Sequence, residues 1–431
     1  MTKACEKKIE NVVLKNIRIW DGKDFVQKDS IAIANGYRIE SDYFTKNPSE
    51  LDAEVDCEGS LAIPALFALG VDFQEPLRDD VYTVKDGIKA MRRGGFYGAL
   101  YESAANPIDD SEKLAAIENR LAGQDLKFAL LGAYSVDFGS DRLSEMLELA
   151  RGDEELNVNG VAGFGDGGAP IPHSRFLRLA MEYGKMTGKR FFFQPLDKTL
   201  RKSGCVHEGA FSDMMGMKGI PRIAETIAAF TVLENARFLQ VPVHFKQVTC
   251  GETLDLIRAA RKNGLDVTCD VDMYHLLFDD SVLTETDAAF HLIPPLRAAA
   301  DREALLAGIA DGTVNAISVN HTPVLRQDKD VNFEDSVPGA VSLEVALPAL
   351  WQMLSEKFGA GKAIELLSTA PAKIAGVAPD ERFTNIVVLS EKPHTVLESE
   401  FAGHVCNSPL VGRVVPGTIL GSFIGGVWTK F

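Results

Sequence analysis

Basic charge is in short supply. The chain has 45 lysines and arginines against 61 aspartates and glutamates, a formal net charge of −16 over 431 residues. No long Lys/Arg run offsets that excess locally, so phosphate backbones and acidic membrane surfaces are repelled and nucleic acid is not an expected partner. Long apolar runs are lacking as well. The opening stretch MTKACEKKIENVV has no apolar core long enough for a signal peptide, and no later run approaches membrane-spanning length. A cytoplasmic protein without a membrane partner is the expectation. Paired cysteines are also missing. Cys5, Cys57, Cys205, Cys250, Cys269 and Cys406 show no short spacing that would build a zinc ribbon or a redox dithiol. Free thiols are expected, with Cys250 and Cys269 read as small buried hydrophobes inside strand-like segments. There is no repeat and no low-complexity tract.

What is present is ample core material, 46% hydrophobic residues with 25% charged. From about residue 64 to about 370, apolar β-rich runs alternate with helix-period stretches. Eight strands can be counted, near 63–73, 96–102, 127–134, 159–165, 190–194, 241–247, 265–271 and 314–320. VYTVKDGIKAMRRGG and GETLDLIRAARKNG are two of the helices between them, the second ending at a glycine suited to a helix C-terminus. Eight β/α units predict a TIM-type (β/α)8 barrel, with chemistry at the C-terminal ends of the strands. Residues 9–60 and 383–431 have a different texture of short alternating strands and turns such as WDGKD and ANGYR. They predict a small β-sandwich domain built from both termini, dividing the chain into residues 1–60, a barrel over 61–376, and 377–431.

Four stretches are specific enough to carry a resemblance: GFGDGGAPI (163–171), HEGAFSDMMGMKGIPRIAE (207–225), IPPLRAAADREALLAGIADGTVNAISVNHTP (293–323) and LLSTAPAKIAG (366–376). With them the chain resembles, over nearly its whole length, the dihydroorotase family of the amidohydrolase superfamily, in particular the type found in complexes with aspartate carbamoyltransferase. The resemblance implies zinc-activated water. Its ligands would be His-x-His on strand one, an acidic residue or carboxylated lysine on strand four, His on strands five and six, and Asp on strand eight.

Each of those positions departs from the family pattern. Strand one, PALFALGVDFQEP, holds Gly70 and Asp72. On strand four Asp166 keeps one carboxylate of the Asp-Asp-Gly motif while Gly167 replaces the other. The strand-five ligand place is Gln194, with Asp197 three residues on. On strand six His244 matches a non-ligand histidine and Gln247 takes the ligand place; on strand eight Asn320 replaces Asp. Neutral amides are poor zinc donors, a glycine offers none, and Asn320 is no base at neutral pH. Without the metal no low-pKa water forms. The arginine that would grip the substrate carboxylate is Gln74, and the asparagine expected after strand two is Ala104.

The expected chain is therefore a family scaffold with no zinc cofactor and no catalytic residue, its vestigial site marked by Gly70, Asp72, Gln74, Ala104, Asp166, Gln194, Gln247, Asn320 and His321. His321 has two readings, an anion contact or a hydrogen-bonded structural histidine. His275 reads as packed and Glu75 as supporting a turn, while Asp72, Asp166 and Asp197 together offer a hard-cation alternative. The resemblance points to a non-catalytic oligomeric subunit with the aspartate carbamoyltransferase catalytic chain as partner, in pyrimidine biosynthesis. Two other readings stand beside it: a cyclic amide hydrolase of altered specificity, and a small-molecule sensor using the old pocket.

Overall fold

Eight short apolar segments pair side by side, all parallel: Leu66–Val71, Phe96–Tyr101, Lys127–Ala133, Gly163–Gly165, Arg190–Phe193, Val243–Phe245, Val267–Asp272 and Ala316–Ser318. Burial on both faces explains their composition. All six residues of Phe96–Tyr101 are buried, as are Phe191, Phe192 and Phe193. The computed structural model describes residues 8–431 except 35, 40–41, 154–157, 170, 172, 286 and 381–384. Cys5, Asn35 of the ANGYR turn, Pro170 of the strand-four motif, and Phe383 and Thr384 lie outside the described residues.

The ring closes through His321, which bridges Val71 of strand one. Its backbone N–H donates to Gly70 O at 2.7 Å, and Asp72 N–H returns a bond to His321 O at 3.2 Å. The eight-stranded TIM-type barrel is thus observed, each strand overlapping its predicted segment. Helices wrap it. Val84–Gly94 begins with a reciprocal cap between Thr83 and Asp86 and ends at left-handed Gly95.

Both termini build one further eight-stranded sheet, from Val12–Trp20, Phe25–Ala34, Tyr37–Ile39, Ala53–Asp56, Leu61–Pro64, Ile386–Ser390, Thr418–Ile424 and Val427–Lys430. Leu61–Pro64 is the stitch between the chain ends: it runs parallel to Val12–Trp20 and antiparallel to Ile386–Ser390. The terminal sheet therefore takes in residues 61–64, which lie beyond the expected boundary at residue 60. Val12, Leu14, Ile17, Val388 and Phe423 form its own core, while Val387 and Leu389 join the barrel's. Among the described residues no helix is long and apolar enough to cross a membrane.

Candidate functional site

The C-terminal ends of the barrel strands surround a cavity of about 280 Å³. Gly70, Asp72, Gln74, Ala104, Gln194, Gln247 and Asn320 all line it, so the structure brings together seven of the nine positions singled out from the sequence. Asp166 lies just beneath, fully buried. His321 does not line the cavity. It is buried in the barrel closure, where its Nδ1 accepts from Ser342 N–H at 3.1 Å. Burial pushes its pKa down to about 3 and keeps the ring neutral.

The centre of the site is a lysine. Lys246 reaches inward from strand six, its Nζ 2.5 Å from Glu102 Oε2 and 2.8 Å from Asp166 Oδ1. Burial alone would lower its pKa, but the charges of Asp166 and Glu102 reverse that and hold it above the usual lysine value. The carboxylates are themselves fixed by backbone donors. Asp166 accepts from Gly168 N–H at 2.9 Å and Gln194 N–H at 2.7 Å, and Glu102 accepts from Gly167 N–H at 2.8 Å. Gly165 is required here, because a Cβ on it would collide with Glu102 Oε1. Beneath this triad His244 bonds Asp270 Oδ2 at 2.9 Å and Thr268 Oγ1 at 2.8 Å, and Asp270 also accepts from Gln247 N–H and Ser318.

The neutral positions satisfy one another. Gln194 Nε2 donates to Gln247 Oε1 at 2.5 Å. Asp72 accepts from Gln74 N–H at 2.8 Å and Ala104 N–H at 3.0 Å, and burial raises its pKa to about 6 against those bonds. Gln74, Gln247 and Asn320 all adopt left-handed backbone, φ 64, 54 and 40 respectively. Three non-glycine residues in that sparsely populated region at one cavity are locally strained, a feature that clusters at functional sites.

No family model matches the chain. A dihydroorotase of Geobacter sp. (strain M21) is 30% identical over 371 residues, covering 85% of each chain. The chain belongs to the dihydroorotase family. A dihydroorotase of Desulforapulum autotrophicum is 27% identical over 379 residues, covering 86% of this chain and 87% of its own. A dihydroorotase-like protein of Pseudomonas putida is 28% identical, covering 86% and 88%. Among solved structures, the L-hydantoinase of Arthrobacter aurescens superposes with a TM-score of 0.79 at 17% identity, covering 97% of this chain and 96% of its own, which speaks for the shared fold.

As a member of the dihydroorotase family the chain can be tested for zinc, and its residues do not fit the ion. A lysine ammonium already ion-pairs with Glu102 and Asp166 and would repel a dication. The two glutamines occupy each other, and Gly70 has φ +73 with an added Cβ 3.2 Å from Asn320 Cα, so strand one has no room for an unstrained histidine there. The hard-cation alternative is not assembled either. Asp197 is turned away as the cap of Lys198–Arg201, accepting from Thr199 N–H at 2.8 Å and Leu200 N–H at 2.9 Å. Among the described residues the group whose donor atoms converge is Cys250, Glu252 and Asp301, outside the cavity, and Arg222 ion-pairs with both of its carboxylates.

His275 is packed, its Nε2 3.1 Å from Pro294 O, and Glu75 accepts from Val84 N–H at 2.7 Å at the start of a helix. Sequence reasoning passed over Lys246, Glu102 and Arg201. The first two carried a signal: in VHFKQ the polar His244 and Lys246 stand two apart, the period of one strand face, and Glu102 ends an otherwise apolar strand.

Proposed function

We propose that this dihydroorotase-family chain carries no hydrolytic chemistry and acts in the cytoplasm as a structural partner of the aspartate carbamoyltransferase catalytic chain in pyrimidine biosynthesis. The observation that carries this reading is the Lys246 ammonium held between Glu102 and Asp166 where the family's resemblance calls for a metal. A charged ammonium at that place is neither a Lewis acid nor a source of hydroxide. The outer surface supports a binding role. Helix Ile223–Leu239 buries Ala228, Val232 and Leu239 against the barrel, yet it also exposes Ile223, Ile227, Phe230 and Phe238 on its far face. Spacings of four, three and eight residues put them in one stripe, and Leu179 and Met186 of the preceding helical segments are exposed as well.

The test joins metal, activity and assembly. Protein made in zinc-supplemented medium should hold well under one equivalent after dialysis, and dihydroorotate turnover should stay at background. Mixed with the transferase chain, it should co-elute in size-exclusion chromatography with light scattering. Phe230→Glu and Phe238→Glu should each weaken that complex by about 2 kcal/mol or more. Stoichiometric zinc with turnover would restore the hydrolase reading. Separate elution at micromolar concentration would remove this partner.

A further inference from the structure

The cavity holds a second cation, and it is unlike Lys246. Arg201 ends the short helix Lys198–Arg201 that follows strand five and lines the cavity beside Gln194 and Ile293. Among the described residues its guanidinium has no carboxylate and no hydrogen-bond acceptor, and its Nε is wholly shielded from solvent. Arginine cannot shed its charge by losing a proton at neutral pH. A shielded, unanswered guanidinium N–H is therefore expensive, and folded proteins leave very few of them. Facing the same space are the side-chain amides of Gln74 and Asn320, which also have no hydrogen-bond partner among the described residues. Nearby His291 does not add to the cationic charge: burial and the charges of Lys329 and Arg201 lower its pKa to about 4.

We propose that Arg201 anchors an anion-binding site in this cavity, taking a small organic carboxylate or phosphate whose remaining polar atoms meet the amides of Gln74 and Asn320. The planar fork of the guanidinium suits either group with two parallel bonds. A volume of about 280 Å³ suits a compact metabolite, being near the lower edge of ligand pockets. The arginine comes from the loop after strand five, whereas the position of the family's clamp on strand one holds Gln74. This site is independent of any partner protein and of whether the chain hydrolyses anything.

The experiment uses the full chain in buffer free of phosphate and carboxylate, with inorganic phosphate and 5-oxoproline as separate probes. Calorimetric titration and thermal denaturation are run on the wild type, Arg201→Met, Arg201→Lys and, as a surface control, Arg178→Met. At millimolar concentration at least one probe should bind the wild type and Arg178→Met and raise their melting temperature. Arg201→Met should abolish the response, and Arg201→Lys should weaken binding by roughly tenfold or more. Without probe, Arg201→Met should melt above the wild type, because the unanswered charge is gone. A response to 5-oxoproline alone assigns carboxylate, and one to phosphate alone assigns phosphate. No response to either probe, a response that survives both Arg201 substitutions, or a lower melting point for unliganded Arg201→Met would each overturn the proposal. If Arg201→Met does not fold, the Arg201→Lys comparison decides.

Discussion

Two buried or half-buried cations share one cavity, and the fold treats them in opposite ways. Lys246 is answered within the protein by two carboxylates from strands two and four, which backbone amides in turn hold. Arg201, which lines the same cavity, is answered by nothing among the described residues. The difference separates stability from binding. A cation saturated by its own chain contributes to the barrel and has little left for a ligand, whereas an unsaturated one weakens the free protein and rewards whatever completes it. In the same cavity, then, the cation at strands two, four and six is paired within the protein while the one after strand five is not.

The sharpest way to break this contrast is to remove Lys246. Lys246→Met leaves Glu102 and Asp166 buried without a counter-charge, and loss of one partner from such a set costs about 3–5 kcal/mol. Urea unfolding at neutral pH should show that deficit, and acidification should shrink it as Asp166, whose pKa burial raises, takes up a proton. Adding Glu102→Gln and Asp166→Asn to the same protein should restore part of the loss. A near-neutral Lys246→Met would mean that the ammonium does not neutralise the site.

Glu344 offers the complementary case, a buried carboxylate without a cation bonded to it. Its Oε1 accepts from Ala402 N–H at 2.8 Å, its Oε2 has no partner among the described residues, and burial raises its pKa to about 7 from 4.5. A raised carboxylate pKa means the native state holds a proton the unfolded chain has lost. Stability from this group is therefore intact below pH ~4.5, falls as pH rises towards ~7, and is fully reduced above that. Glu344→Gln keeps the Oε1 acceptor and removes the titration. It should be more stable than the wild type at pH ~8 by at most about 3 kcal/mol, with the advantage gone below pH ~4.5. Urea denaturation midpoints across that range check it, and an advantage independent of pH would sink the assignment.

The barrel could be read in the sequence because its strands are apolar on both faces and separated by helix-period segments, a pattern that admits few other folds. That seven of the nine singled-out positions would meet at one cavity was equally legible, since strand ends converge in a barrel whatever residues occupy them. The residues that meet at the centre of the cavity were harder to see. Comparing ligand places one by one shows that Gln247 is wrong for zinc, but not that its neighbour Lys246 points inward to two carboxylates from distant strands. That pairing spans residues 102, 166 and 246 and exists only after closure. His321 is similar: next to Asn320 it read as an anion contact or a structural histidine, and its place depends on the bond between the first and last strands. Arg201 gave no local signal. In DKTLRKSG it is one of three cations on a polar segment, and nothing in the spacing says which one the loop turns inward.

The smallest effect sharpens the same comparison from the Arg201 side. Asp197 had been a candidate cation ligand; in the structure it caps the helix whose last residue is Arg201, bonding Thr199 and Leu200 N–H through one oxygen. Burial would raise its pKa, but the hydrogen bonds from Thr199 and Leu200 outweigh it and hold the group below the ordinary carboxylate value. A lowered pKa means the cap contributes fully at neutral pH and is lost only as acid protonates it. Asp197→Ala should cost about 1 kcal/mol, read as a modest shift of the urea midpoint at neutral pH. Asp197→Asn should recover most of it, since its amide oxygen can accept the same bonds. The informative readout is anion binding. Because the cap steadies the backbone that carries Arg201 while Lys246 rests on other strands, Asp197→Ala should weaken the calorimetric response to phosphate or 5-oxoproline and leave the stability lost on Lys246→Met unchanged in the double variant. If instead the two substitutions prove coupled in stability, the two cations belong to one unit and the division of the cavity fails.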